Sequence, residues 1–166
     1  MQCHGWTLLF HPCIVEQLEK LHSAAARAAQ KDPQTASKNA NVKVYRALAH
    51  LLLEVIPADP SHERFRQGKT LGSEHRHWRR AKFGGRFRLF FRYSAASKVI
   101  VYAWVNDTHT QRAAGSKSDP YSQFRAMLMR GHPPTTWNEL VSASSSGASC
   151  LVNTDPTNDK PTTTKD

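Results

Sequence analysis

Hydrophobic and polar positions follow two different periods along the first third of the chain. Residues 6–10 alternate as a short strand, and apolar residues at helical spacing follow from Pro12, a residue suited to the first turn of a helix. A second helical stripe begins near Asn39 or Asn41, both good N-caps, and the prolines within residues 57–60 are expected to end it. The pattern therefore predicts a strand followed by two helices.

The middle of the chain changes to a period of two. This alternation predicts strands over residues 77–83, 86–93 and 98–105. Gly84-Gly85 supplies a hairpin turn between the first two of these strands. The chain therefore returns to a sheet after its two helices.

The last predicted helix has clear signals at both ends. Asp119 is its N-cap and Pro120 its first residue, and Gly131 ends it. The element order predicts an α+β domain over residues 1–141: a small, mostly antiparallel twisted sheet, two N-terminal helices packed on one face, and a C-terminal helix. Residues 142–166 are rich in Ser, Thr, Asn, Asp and Pro, and they predict a disordered low-complexity tail.

Charge adds a functional signal to this pattern. The chain carries a net charge of +10 with a pI near 9.9, which favours a polyanionic partner, either nucleic acid or an acidic protein. Arg64–Arg92 holds ten Lys or Arg and one acidic residue in 29 positions, a net charge of +9. A solvated surface usually mixes signs, so this segment indicates nucleic-acid binding, although a merely soluble surface is the alternative.

Strand alternation divides the basic segment between two faces of the sheet. Side chains two residues apart share a face, which groups Trp78, Arg80 and Lys82 on one strand with Arg86, Arg88, Phe90 and Arg92 on the next. The simplest arrangement places both sets on the open face. Trp78 and Phe90 are then either platforms on which bases stack or rings packed under neighbouring segments.

These residue types suit RNA cleavage without a metal. A base takes the proton of the ribose 2′-OH, cations stabilise the charge that develops on the phosphate, and an acid protonates the leaving 5′-oxygen. The basic segment has no carboxylate cluster for Mg²⁺. His75, His77 and His109 are possible acid–base groups, or ordinary surface residues, and Asn106-Asp107 is either a site element or simply a turn.

Cysteine usage and hydropathy limit the remaining classes. Cys3, Cys13 and Cys150 form no C-x-x-C pair, so neither a disulfide framework nor a metal site is expected, and no cofactor. The N-terminus lacks the pattern of a signal peptide, and no apolar run reaches the length of a membrane span. We expect a cytoplasmic, bacterial protein with no membrane partner.

Several motifs in a fixed order resemble the YhaV toxins of bacterial type II toxin–antitoxin systems, within the RelE/ParE superfamily. They are Gly5-Trp6-Thr7-Leu8, His11-Pro12-Cys13, Arg66-Gln67-Gly68, Leu71-Gly72, Trp78, Lys82-Phe83-Gly84 through Tyr93, Trp104-Val105-Asn106-Asp107 and Gly131-His132-Pro133-Pro134. The resemblance implies a RelE-like fold and a ribosome-dependent mRNA interferase that inhibits translation and growth. It also implies neutralisation by a PrlF-type antitoxin, whose DNA-binding part resembles AbrB, and repression of operator DNA through that antitoxin.

Position within the RelE-like pattern, together with the face assignment, gives the candidate site. The resemblance adds Arg112 and Tyr121 to the residues of the basic strands. The catalytic candidates are Lys82, Arg86, Arg88, Arg112 and Tyr121, and the RNA-binding candidates are Arg76, His77, Trp78, Arg79, Arg80, Phe90, Arg92 and Lys117.

Two alternatives stay open from the sequence. A toxin of the same fold can act on another target, such as DNA gyrase, because a fold does not fix a function. A non-catalytic RNA-binding regulator also fits a basic surface. Neither the cleavage preference nor the oligomeric state follows from these residues.

Overall fold

The structure is a computed structural model that describes residues 1–107 and 119–151. The candidates Arg112 and Lys117, and His109, lie outside the described residues. Five strands form one sheet: β1 Gln2–Cys3, β2 Trp6–Phe10, β3 Arg79–Phe83, β4 Phe87–Ser94 and β5 Val99–Val105. Their order is β1-β2-β5-β4-β3, in which β2 pairs with β5 in parallel and the other three pairings are antiparallel. The fold is therefore α+β with a mixed sheet.

The first three helices lie where the sequence places them, and a fourth short helix follows. They are α1 Pro12–Lys31, α2 Ala40–His50, α3 Pro120–Met129 and α4 Trp137–Ala143. The Asn39 side chain accepts a hydrogen bond from the Asn41 amide, so Asn39 is the N-cap of α2. None of the described helices is long and apolar enough to cross a membrane.

The second helical stripe ends at Ala58, between Pro57 and Pro60, where the prolines were predicted to end it. The chain passes from α2 into a π-helical stretch, Leu51–Val55, and a last helical turn, Ile56–Ala58. Pro57 lacks an N–H and cannot continue an ordinary α-helical ladder, and the wider turn accommodates this. The buried Tyr102 hydroxyl donates to the Leu52 carbonyl at 2.6 Å, which ties this stretch to β5.

Two hydrophobic clusters cover the two faces of the sheet. The first joins α1 and α2 to one face through side chains such as Leu18, Leu48 and Phe91. The second joins α3 and α4 to the other face, with Phe124 of α3 in contact with Phe90 of β4. The expectation of an open basic face is therefore wrong for the part of the sheet that α3 covers, whereas Lys82, near the β3–β4 turn, is exposed among the described residues.

Packing continues beyond Val141, where the sequence predicted the tail to begin. Ser145 pairs with Phe10 through two backbone hydrogen bonds of 2.8 and 2.9 Å. The Tyr45 hydroxyl donates to the Cys150 carbonyl at 2.7 Å, and Leu151 is buried. The few apolar residues after Ser142 are enough to hold these positions on the core, and residues 152–166 lie outside the described chain.

Candidate active site

The β3–β4 hairpin brings two cations together at the end of the sheet. Lys82 lies directly opposite Arg88 in the antiparallel register, so the two side chains leave the same face. Directly opposed side chains have Cβ atoms about 5 Å apart, and like charges in such a pair destabilise a sheet. Arg80, two residues before Lys82, projects from that face as well. The hairpin thus concentrates positive charge where an anion would stabilise it.

Arg88 is held rigidly and is almost fully buried, with 8% of its surface exposed. Its Nη1 donates to the carbonyl oxygens of Gly85 at 3.0 Å and Phe87 at 2.8 Å. Its Nε is buried and has no acceptor, and no carboxylate of residues 1–107 or 119–151 forms a salt bridge with it. A buried guanidinium without a counter-ion is costly, so the group is poised to receive an anion.

Asn106 positions this hairpin from the end of β5. Its fully buried side chain accepts the Arg88 amide N–H at 2.7 Å and donates to the Arg86 carbonyl at 3.2 Å. The sequence left open whether Asn106 merely formed a turn, and the structure gives it a positioning role toward Arg88. Arg86 is exposed in the β3–β4 turn, one residue before β4 begins. Gly84 and Gly85 form this turn with positive φ angles.

A basic groove follows β3, which is the edge strand of the sheet. One cavity of about 450 Å³ is lined by Leu51, Val55, Glu63, Arg64, Phe65, Arg66, Arg80 and Lys82. A second, of about 430 Å³, is lined by Arg66, Gln67, Gly68, Lys69, Arg76 and Arg79. Arg66 is common to both, and its carbonyl accepts a hydrogen bond from Arg80 at 3.0 Å. The two cavities form a continuous basic surface that we call the edge groove.

The sequence placed Arg76, Arg79 and Arg80 in this region but did not select Arg66 or Lys69. These two lie in the loop before β3, where no strand alternation assigns a face. The loop is shaped by the buried Gln67, whose side chain donates to the His75 carbonyl at 2.8 Å and accepts the Leu71 amide at 3.2 Å. In the sequence, this loop was marked by the motifs Arg66-Gln67-Gly68 and Leu71-Gly72 and by the basic segment Arg64–Arg92.

The aromatic candidates are not base-stacking platforms in this structure. Trp78 and Phe90 are fully buried, and the Phe90 ring stacks on Phe124 with centroids 4.3 Å apart. The alternative that these rings are packed is therefore the one observed. Tyr121 is also buried, with its ring edge-on to Phe90 at 5.6 Å.

Arg92, another RNA-binding candidate, takes part in the packing of the fold. Its guanidinium lies 5.6 Å from the Trp78 ring centroid and 5.4 Å from that of Trp137, and it donates to the Thr135 carbonyl at 2.7 Å. Burial lowers the pKa of Arg92. Its charge is engaged with α4 and the preceding loop, which removes it from the set of accessible phosphate ligands.

The imidazole of His77 has a shifted pKa. Partial burial, followed by the nearby charges of Arg92 and His75, lowers the pKa of His77. The neutral imidazole is therefore favoured near neutral pH, the form that a general base requires. The rings of His75 and His77 lie 6.3 Å apart.

A second cluster, which sequence reasoning missed, joins His11, Cys13 and His132. Burial, followed by the proximity of His132, lowers the pKa of His11 to about 4, and burial raises that of Cys13 to about 11. It is the one group of three potential metal ligands among the described residues. His11 and Cys13 are neighbours in the sequence, but His132 lies about 120 residues further along the chain, so no local spacing rule could have joined it to them.

Comparison with known proteins adds the family context. The family of toxins described as having endonuclease activity, in toxin–antitoxin systems, matches residues 8–145. The chain is 43% identical to the ribonuclease toxin YhaV of Escherichia coli strain K12 over 140 residues, which cover 83% of this chain and 91% of that protein. The toxin YhaV of Escherichia coli O157:H7 matches with the same identity and coverage. No solved structure matches the chain.

Proposed function

Since this chain belongs to the YhaV family of toxins with endonuclease activity, we propose that its substrate is RNA and that the Lys82–Arg88 pair forms the centre of the cleavage site. Family membership makes the chain a nuclease toxin with an antitoxin partner. The similar protein of Escherichia coli K12 is named a ribonuclease toxin, which supports RNA as the substrate here. The observation that carries the assignment is the buried Arg88 guanidinium opposite Lys82, which is fixed by backbone carbonyls and forms no salt bridge with any carboxylate of the described residues.

The proposed reaction needs only groups of the chain. Lys82 acts as the base or as a charge stabiliser while the ribose 2′-oxygen attacks the adjacent phosphorus and loses its proton. Arg86 and Arg88 hold the non-bridging phosphate oxygens, whose charge grows in the transition state. The bond from phosphorus to the 5′-oxygen then breaks, Arg112 serves near the leaving group, and an acid of the chain protonates the leaving oxygen. The products are a 2′,3′-cyclic phosphate and a 5′-hydroxyl.

Tyr121 is included as a further catalytic candidate on the basis of the family resemblance. Its ring packs on Phe90, so the ring itself is not the reacting surface. Arg112 and Lys117 lie in the chain segment between β5 and α3, which begins directly after Asn106 and Asp107. This connection supports their assignment to the same site, since Asn106 is bonded to Arg88.

The edge groove is the proposed path of the RNA strand. Arg66, Lys69, Arg76 and Arg79 line it on one side of Arg80 and Lys82. Cations spaced along a groove neutralise successive phosphates without reading the base sequence. Because Trp78 and Phe90 are buried, binding along this path rests on charge and not on base stacking.

The remaining parts of the proposal concern the cellular setting. We infer a RelE-like fold, and an antitoxin of the PrlF type with an AbrB-like DNA-binding part that represses operator DNA. The mRNA is proposed to be cut in the bacterial cytoplasm on the translating ribosome, which stops translation. We infer metal-independent chemistry because Lys82, Arg86 and Arg88 already supply the cations that the developing phosphate charge requires.

The experiment is induced expression in a bacterium, with mapping of transcript ends and growth curves. The parent chain should arrest growth and create new mRNA ends, and Arg88→Ala should abolish both. Arg130→Ala is the control, because Arg130 is an exposed residue at the end of α3. Equal arrest by Arg88→Ala and the parent chain would remove Arg88 from the mechanism. Intact mRNA together with DNA breaks would instead indicate a gyrase-type target.

A further inference from the structure

We propose that His11, Cys13 and His132 bind one zinc ion in a structural site. The three side chains come from two distant parts of the chain: His11 and Cys13 from the beginning of α1, and His132 from the segment that follows α3. We call them the HCH cluster. Neither the proposed cleavage reaction nor the RNA path uses any of them.

The donor atoms already lie close together. One ligand atom from each residue lies within 4.8 Å of the other two, and the His11 and His132 ring centroids are 4.9 Å apart. A tetrahedral zinc ion has bonds of about 2.1 Å to nitrogen and 2.3 Å to sulfur, so its ligands are about 3.5 Å from one another. A closure of about 1 Å by side-chain rotation completes that geometry.

The three ligands differ in their freedom to make this movement. His11 is 1% exposed, and its Nδ1 accepts the Cys13 amide N–H at 3.1 Å, so its ring is fixed as the N-cap of α1. Cys13 is half-buried and His132 is exposed, so these two can rotate toward His11. Binding through His11 Nε2 moves the ring proton to Nδ1 and gives up the capping hydrogen bond, whose loss the new metal bonds outweigh.

The donor set selects the kind of ion. Two imidazole nitrogens and one thiolate sulfur suit zinc, whereas magnesium and calcium prefer oxygen ligands. Cys13 and His132 line a cavity of about 370 Å³ whose other lining residues include Asp107 and Glu16, the latter accepting a hydrogen bond from Lys20. One of these carboxylates, or a water molecule in the cavity, can supply the fourth ligand of a tetrahedral ion. Met127 also lines the cavity, so copper(I) is the competing ion to be tested.

A zinc ion here would join the beginning of α1 to the segment after α3. Because the ion binds the folded chain, it raises the melting temperature by mass action. Asp107 on the cavity wall adjoins Asn106, which positions Arg88. A bound zinc ion would therefore restrict the movement of Asn106, which holds the β3–β4 hairpin, without taking part in cleavage.

The experiment is metal binding to the purified full chain, followed by calorimetry, by thermal unfolding and by the absorption spectrum of the cobalt(II) form. We expect one equivalent of zinc, a higher melting temperature with zinc, and a thiolate-to-cobalt charge-transfer band. Cys13→Ser should abolish that band and weaken zinc binding at least tenfold, and His132→Ala should weaken it similarly. Cys150→Ser and His50→Ala are matched controls outside the HCH cluster and should bind zinc as the parent chain does.

Several results would overturn the proposal. They are the absence of stoichiometric zinc binding, a cobalt(II) spectrum of the parent chain without a thiolate band, and unchanged zinc affinity in both Cys13→Ser and His132→Ala. Binding of copper(I) but not zinc would also overturn it. The cobalt(II) spectrum of the parent chain tests the site even where a variant fails to fold, and circular dichroism identifies such a variant.

Discussion

The substitution Arg88→Lys separates charge from geometry at the proposed cleavage site. Lysine retains the positive charge opposite Lys82 but replaces the planar fork of five donors by one ammonium group. In the parent chain, Nη1 is occupied by the Gly85 and Phe87 carbonyls and Nε is buried, so Nη2 is the part of the guanidinium that remains for a phosphate. An ammonium that keeps one of these carbonyls has two donors left, but it lacks the planar guanidinium that fixes their direction toward phosphate oxygens.

The expected loss follows from one missing transition-state hydrogen bond. Removal of a single donor of this kind lowers the rate constant by about 10² to 10³, equivalent to about 3 to 4 kcal/mol in the activation barrier. The folded state loses about one net hydrogen bond, so the free energy of unfolding falls by only about 1 kcal/mol. The activation barrier for cleavage should therefore change far more than the free energy of unfolding.

The assay is single-turnover cleavage of a defined mRNA, in a translation extract, at saturating concentrations of the purified chain. Arg92→Lys is the matched control, because Arg92 is held between Trp78 and Trp137 and not at the hairpin turn. It should lose about 1 to 2 kcal/mol of unfolding free energy through its cation–π contacts, while cleavage per folded molecule changes by less than about threefold. Cleavage by Arg88→Lys within threefold of the parent rate, or an equal loss in Arg92→Lys, would refute the reasoning.

Three further outcomes are expected. Asn106→Ala should lower the free energy of unfolding in urea by about 2 kcal/mol, since the Arg88 amide and the Arg86 carbonyl lose their partner; an unchanged midpoint would contradict this role. The pKa of His77 is lowered in the folded chain, so the unfolded chain binds a proton first as the pH falls. The free energy of unfolding should therefore decline below pH 6.5, and His77→Gln should reduce the slope of this decline. Identical slopes for the parent chain and His77→Gln would exclude His77 as a source of the decline. The double substitution Lys69→Gln with Arg76→Gln should lower the slope of log affinity for single-stranded RNA against log salt by about 1.4, if both residues neutralise phosphates; an unchanged slope would move the RNA path elsewhere.

Local signals in the sequence were enough for most elements of the fold. Pro12, Asn39 and Pro120 mark the beginnings of helices, and the alternation around Gly84-Gly85 gives the β3–β4 hairpin and the shared face of Lys82 and Arg88. These features depend on neighbours within a few residues. The two-residue strand β1 was missed because so short a segment carries no period.

What the sequence could not provide was the packing between distant segments. Alternation placed Phe90 and Arg92 on the correct face, but the burial of that face depends on Phe124 from α3. The role of Asn106 likewise arises from a contact between β5 and the hairpin. The HCH cluster is the extreme case, since its ligands come from opposite ends of the described chain.

The central claim is that this chain cuts RNA by attack of a ribose 2′-oxygen at the Lys82–Arg88 pair. The most direct test is the chemical nature of the ends formed when the purified chain cleaves a defined mRNA during translation. The account predicts a 2′,3′-cyclic phosphate on one fragment and a 5′-hydroxyl on the other, with both ends absent for Arg88→Ala. Fragments with a 5′-phosphate and a 3′-hydroxyl, or undiminished cleavage by Arg88→Ala, would contradict it.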